Sequence, residues 1–238
     1  MTEQRPEDAI APEAMEPSRP ETRPGGLGLA DDLVMALRFF SRLPTGNSPH
    51  QKPELNRIAM ALPLASVVIG IGPALLLTGG ALIGLPAYFA AALAVAAMVM
   101  VSGAMAEDAL ADAADGLFGG HSVARRLEIM KDSRHGTYGV AALCLFLMLR
   151  VSGLGAIAAF NPLAAGAIWL AAGIVGRSGA LWLAVALPAA RSDGVSATAG
   201  TVRGRSFGVG AVFAVVLLFV LAAPATNLVA LGFALLAA

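Results

Sequence analysis

The sequence predicts an all-α integral membrane protein, a polytopic helical bundle of about six transmembrane helices plus a short N-terminal interfacial amphipathic helix. Three observations carry this prediction. Hydrophobic residues make up 57% of the 238-residue chain, with a mean hydropathy of +0.74. Charged residues make up 13%, against about 25% in an average soluble domain. The apolar residues also fall in long runs, and a helix needs about 20 of them to cross hydrocarbon. Aromatic residues are only 6%. The apolar mass is mainly Ala, Leu, Val and Gly, and small residues let helices approach closely in lipid.

The elements follow in chain order. Residues 1–28 are rich in Pro, Glu, Arg and Thr and lack the apolar core of a signal peptide. They read as a disordered cytoplasmic tail. Residues 29–238 form one membrane-embedded domain. Within 31–40, Leu33, Ala36, Leu37 and Phe40 recur at helical spacing. Ten residues are too few to span, so this helix is expected to lie in the interface. Pro44 and Gly46 end it. The expected spans are 58–77, 81–106, 139–159, 163–186, 209–222 and 227–238. The last two are short for a bilayer crossing. The single cysteine, Cys144, lies in an apolar run and reads as a buried, inert thiol.

Lys and Arg sit on alternate connections. Arg38, Arg42, Lys52 and Arg57 precede the first expected span. Arg125, Arg126, Lys131 and Arg134 follow the second, and Arg191, Arg203 and Arg205 follow the fourth. The intervening connections near 78–80 and 160–162 carry no charge. The positive-inside rule therefore places the N-terminus and every basic loop in the cytoplasm. The formal net charge is zero, which argues against a nucleic-acid partner.

Glu107, Asp108, Asp112 and Asp115 close the second apolar run. Carboxylates there are expensive to desolvate and need a cavity, a metal or a partner. On a helix Asp108, Asp112 and Asp115 stand at i, i+4 and i+7, on one face. Hard divalent cations, Mg²⁺ above all, bind through such oxygens and hold substrate phosphates. The turn Gly116-Leu-Phe-Gly119-Gly120 follows, where backbone N–H groups can approach a ligand. Ser122 can cap a short helix carrying Arg125 and Arg126, and Arg forks grip phosphate oxygens. Arg150 and Arg177 fall inside spans, where an unpaired guanidinium is hard to tolerate. They either pair with carboxylates for packing or line a polar cavity. The bland readings are a topology signal for the basic loop and a solvated helix end for the acids. The histidines read as loop residues. A cation-coupled transporter is a reading from another class.

Longer motifs narrow the choice. Glu107-Asp108-x-Leu-Ala-Asp112-x-Ala-Asp115-Gly116-Leu-Phe-Gly119-Gly120 precedes Arg126-Leu-Glu-Ile-Met-Lys131-Asp132-Ser133-Arg134-x-Gly136-Thr-Tyr138-Gly139. Together they resemble the cobalamin synthase family, the adenosylcobinamide-GDP ribazoletransferases. Arg38-Phe-Phe-Ser-Arg42-Leu-Pro44, Met60-Ala-Leu-Pro63-Leu, Gly176-Arg177-Ser178 and Arg191-Ser-Asp193-Gly194 resemble its other signatures. His135 stands where that family often has an aliphatic residue, and Ala109 where it often has Gly.

The resemblance implies a multi-pass enzyme of the bacterial inner membrane, its active site facing the cytoplasm. Such an enzyme joins adenosylcobinamide-GDP to α-ribazole or its 5′-phosphate and releases GMP, with Mg²⁺ as cofactor. It makes 29–238 a catalytic domain and leaves room for a homo-oligomer. It implies catalytic roles for Glu107, Asp112 and Asp115, and a metal site on Glu107, Asp108, Asp112 and Asp115. Substrate contacts are implied for Arg42, Arg125, Arg126, Lys131, Asp132, Ser133, Arg134, Arg150 and Arg177. The acidic run also resembles, in style, the CDP-alcohol phosphotransferases. Those enzymes are the rival within membrane phosphotransferases.

Overall fold

The structure is a computed structural model that describes residues 28–46, 53–132, 134–190 and 199–226. Residues 1–27 of the expected tail, Arg191 to Gly194, the expected sixth span at 227–238, and Ser133 lie outside the described residues. Eight helices are described: α1 (Leu29–Phe40), α2 (Leu55–Leu82), α3 (Ala87–Ser102), α4 (Met105–Gly119), α5 (Val123–Ile129), α6 (Thr137–Phe160), α7 (Pro162–Ala186) and α8 (Gly204–Thr226). Helices α2, α6, α7 and α8 are each long and apolar enough to cross a membrane. Counting the bent pair α3–α4 as a broken span gives five among the described residues.

Helix α2 is the centre of the bundle and packs on α1, α3, α7 and α8. Its fully buried side chains include Ile58, Leu62, Ile69 and Leu77, together with Pro63 and Pro73. A proline inside a helix leaves the carbonyl four residues earlier without its donor, which for Pro63 is that of Ala59. Gly210 of α8 lies against this oxygen so closely that a Cβ there would collide with it. Membrane helices tolerate such breaks where a neighbour covers the freed group. At the far end, the Thr78 hydroxyl donates to the Pro162 carbonyl at 3.1 Å and joins α2 to α7.

Helix α1 forms over the expected residues and buries Met35, Ala36 and Leu37. It is tied to α2 by a contact that local periodicity does not reveal. Asp32, almost fully buried, accepts from Arg57 Nε at 2.7 Å. A second difference concerns Cys144, which is exposed on α6 rather than buried.

The largest departure is in the second expected span. No single helix runs over 81–106. Helix α3 ends at Gly103, and α4 leaves it at 88°. Gly103 and Ala104 both take left-handed conformations, at φ 65° and 59°. The Ala104 N–H donates to the Val99 carbonyl at 2.8 Å, closing the end of α3. For alanine the left-handed region costs about 1–2 kcal/mol, so packing at the break has to offset it. The acidic residues therefore lie on a separate helix that packs on α5 and along the first half of α6.

Small residues set the contact between α3 and α6. Gly155 is buried against Tyr88, where a Cβ would come within 2.5 Å of the ring. Gly153, two residues earlier, has nothing within 4 Å. Gly155→Leu should lower stability in detergent by about 1–3 kcal/mol through overpacking. Gly153→Leu should leave the melting temperature nearly unchanged. Equal melting temperatures for the two variants would contradict this packing.

Candidate active site on the acidic helix

The predicted helix face forms, but burial divides it. Asp108 is exposed, Asp112 half-buried, and Glu107 and Asp115 are buried. Each buried acid has a partner far along the chain. Glu107 Oε1 accepts from Arg150 Nη1 at 3.3 Å. The Arg150 guanidinium also lies 5.2 Å from the ring centres of both Phe146 and Trp169, an arrangement that stabilises a desolvated cation. Arg177, on α7, donates to the Gly173 carbonyl and lies against Met98 Sδ. It is close enough to Glu107 and Arg150 to interact electrostatically with both. The two mid-span arginines thus gather around one carboxylate.

Asp115 does something different. Its two oxygens accept the backbone N–H groups of Gly136 at 2.6 Å and Gly139 at 2.8 Å. Gly136 is the N-cap residue of α6. The first N–H groups of a helix lack intrahelical acceptors, and a carboxylate there also meets the positive end of the helix dipole. Asp115 is therefore an N-terminal cap supplied from another helix. A Cβ at Gly136 or Gly139 would collide with its carboxylate. That explains why both positions carry glycine.

This cap folds the connection 120–136 back over α4 and brings His135 to the remaining acids. Ligand atoms of Asp108, Asp112 and His135 all lie within 4.8 Å of one another. His135 Nε2 stands 3.9 Å from Asp108 Oδ1. The expected metal set of four acids is thus spread over two environments. Asp108 and Asp112 face outward with His135, while Glu107 and Asp115 bind protein groups. His135 carried no signal at the sequence level, because only the long-range cap brings it there. Two carboxylates and an imidazole fit a divalent cation: hard oxygen donors with one borderline nitrogen.

The basic segment forms the predicted short helix α5, with the Ser122 hydroxyl accepting from Arg125 N at 3.2 Å. Its glycines serve packing as well as turning. Helix α4 continues through Gly116 to Gly119. A Cβ at Gly116 would meet Met130, and one at Gly120 would meet Arg126. Arg126 Nε donates to the Gly120 carbonyl at 3.0 Å. Arg125 pairs with Glu128 at 2.8 Å, and Arg134 with Asp132 at 2.6 Å, all exposed or nearly so. The hydrogen bonds from Arg134 hold the Asp132 carboxyl at a pKa of about 2. Arg42 stands apart from this loop, against Gly103 at the α3–α4 break.

The profile of the cobalamin-5-phosphate synthase family matches residues 32–238. The chain belongs to that family. An adenosylcobinamide-GDP ribazoletransferase of Azorhizobium caulinodans is 43% identical, over 87% of this chain and 81% of the relative. One of Bradyrhizobium diazoefficiens is 41% identical, over 84% and 76%. One of Xanthobacter autotrophicus is 54% identical over a shorter stretch, 55% of this chain and 51% of the relative. No solved structure matches the chain. The family match covers α1 to α8 and so includes the acidic helix, the basic loop and both mid-span arginines.

The Glu107–Arg150 pair generates a prediction. Arg150→Met strands a buried carboxylate whose other oxygen, Oε2, already has no partner. Breaking such a pair typically costs about 3–5 kcal/mol. The melting temperature in detergent should fall accordingly, and adding Glu107→Gln should restore most of it. A double variant no more stable than Arg150→Met would show that the pair does not hold α4 to α6.

Proposed function

We propose that this chain is an adenosylcobinamide-GDP ribazoletransferase, joining adenosylcobinamide-GDP to α-ribazole or its 5′-phosphate with release of GMP. The observation that carries this for the site is the meeting of Asp108, Asp112 and His135, with the Arg125–Arg134 segment beside them. The names of the relatives supply the reaction. A hydroxyl oxygen of the ribazole attacks the corrinoid-side phosphorus of the diphosphate. A new P–O bond forms, the P–O–P bridge breaks, and GMP leaves with the electron pair. The hydroxyl proton passes to a carboxylate oxygen that the metal leaves free.

Asp108, Asp112 and His135 would hold Mg²⁺. The ion would supply positive charge for the diphosphate. Arg125, Arg126, Lys131 and Arg134 would orient that group from the loop. Such reactions depend largely on positioning and on neutralising charge. The alternation of basic and uncharged connections supports a cytoplasmic site in the bacterial inner membrane. The outward acids and His135 stand beside a basic loop, which favours an enzyme over a transporter.

Asp112→Asn should lower GMP release by about 10²-fold or more while leaving the melting temperature close to wild type. EDTA should abolish turnover, and Mg²⁺ or Mn²⁺ should restore it. Purified protein mixed with adenosylcobinamide-GDP, α-ribazole and Mg²⁺ is the assay. Near-normal turnover by Asp112→Asn, or full activity in EDTA, would refute the carboxylate–metal assignment.

A further inference from the structure

A cleft of about 480 Å³ opens where the end of α1 meets the α3–α4 break, lined by Arg38, Ser41, Arg42, Ser102, Gly103 and Met105 among others. Its volume is in the range of small-ligand sites. The backbone builds it around Arg42, whose N–H donates to the Val101 carbonyl at 2.7 Å. Gly103 takes φ +65°, and a Cβ there would overlap the Arg42 side chain. The glycine therefore turns the chain and leaves room for the arginine.

Charge partners distinguish this cleft from Arg125 and Arg134 of the basic loop, whereas Arg126 donates to the Gly120 carbonyl. Arg57, Arg125, Arg134 and Arg150 each have a carboxylate partner. Among the described residues Arg38 donates only to a carbonyl, that of Gly46, at 3.0 Å. The Arg42 guanidinium makes no hydrogen bond or ion pair among the described residues. Among the described residues, no acidic side chain lines the cleft. Two arginines facing one polar cleft without a counter-charge select an anion, and guanidinium forks suit phosphate oxygens.

The family product is a cobalamin 5-phosphate. An acceptor that brings this phosphate is a phosphate monoester, an anion additional to the donor diphosphate. The outward acids face His135 and the loop, at one end of the site. The cleft lies at the start of α4, before the outward acids. Met105 lines it, and three residues of helix, about 4.5 Å of rise, separate Met105 from Asp108. We propose that the Arg38–Arg42 cleft binds the phosphate monoester of the acceptor nucleotide, apart from the donor diphosphate. The assignment rests on the transferase reading above and deepens it. It makes Arg42 the residue that distinguishes α-ribazole 5′-phosphate from α-ribazole.

The test uses purified full-length protein in detergent, with both acceptors. Wild type should show a higher kcat/KM with α-ribazole 5′-phosphate than with α-ribazole. Arg42→Ala should cut that ratio at least tenfold, and Arg42→Lys should keep part of it. An equal loss with both acceptors, or a raised KM for adenosylcobinamide-GDP with the ratio intact, would overturn the assignment. Calorimetric titration with α-ribazole 5′-phosphate, without donor, gives a second readout. Wild type should bind it at least tenfold more tightly than Arg42→Ala does. Wild type binding both acceptors equally would overturn the cleft even with normal turnover. Arg42-dependent binding without GMP release would retain the cleft and reject the transferase reading.

Discussion

The geometry of the site depends on two carboxylates that turn away from solvent. Helix α4 leaves α3 at 88°, so nothing in the direction of the chain holds it to the bundle. Glu107 on Arg150 fixes one end of it to the middle of α6. Asp115 on Gly136 and Gly139 fixes the other to the start of the same helix. Between these anchors α4 cannot roll without breaking an ion pair or uncapping α6. Asp108 and Asp112 are thereby held outward. A buried ion pair is poor evidence of net stability, because desolvation opposes the attraction. Its effect here is orientation, since losing either partner leaves a charge with no other place to go.

Helical geometry explains how one acidic run does two jobs. At about 100° per residue, with Glu107 as zero, Asp115 lies near 80°, Asp108 near 100° and Asp112 near 140°. The four share a broad face, as the spacing implies. The edge of the bundle passes through that face. Acids on the near side meet α6, and those on the far side meet the loop and His135. A sequence pattern can show that residues share a face. It cannot show where the packing boundary cuts it.

The same distinction governs what was legible more generally. Length, apolar runs and charge placement are local or compositional, and they located α2, α6 and α7 to within a few residues. They also located the Ser122 cap and the helical face of the acids. The break at Gly103–Ala104 was hidden because one glycine in an apolar run is compatible with a continuous helix. Helix α8 starts at Gly204, five residues before the expected span 209–222. Contacts that join distant segments left no periodic trace. Asp32 with Arg57, Glu107 with Arg150 and Asp115 with Gly139 are 25, 43 and 24 residues apart. The long motif shared with the family holds Glu107, Asp115 and Gly139, but it could not assign a structural role to one acid and a chemical role to the next.

On the proposed function, the same frame would prepare the basic loop for binding. It is pinned at its start by Arg126 on the Gly120 carbonyl and at its end by Gly136 on Asp115. Between these pins Arg125 and Arg134 hold acids of the loop itself. Pairs exposed to water are held weakly, so they keep the side chains ordered without committing them. A diphosphate offers several oxygens at once and can displace these partners one by one. The ordering entropy of the loop backbone is already met by the two pins, so less of the binding energy is lost on closing. The caps and pairs that hold α4 therefore also prepare the loop beside it. In the proposed reaction the acids and the arginines would meet the substrate as one preorganised unit, because Asp115 ties α4 to the end of the loop.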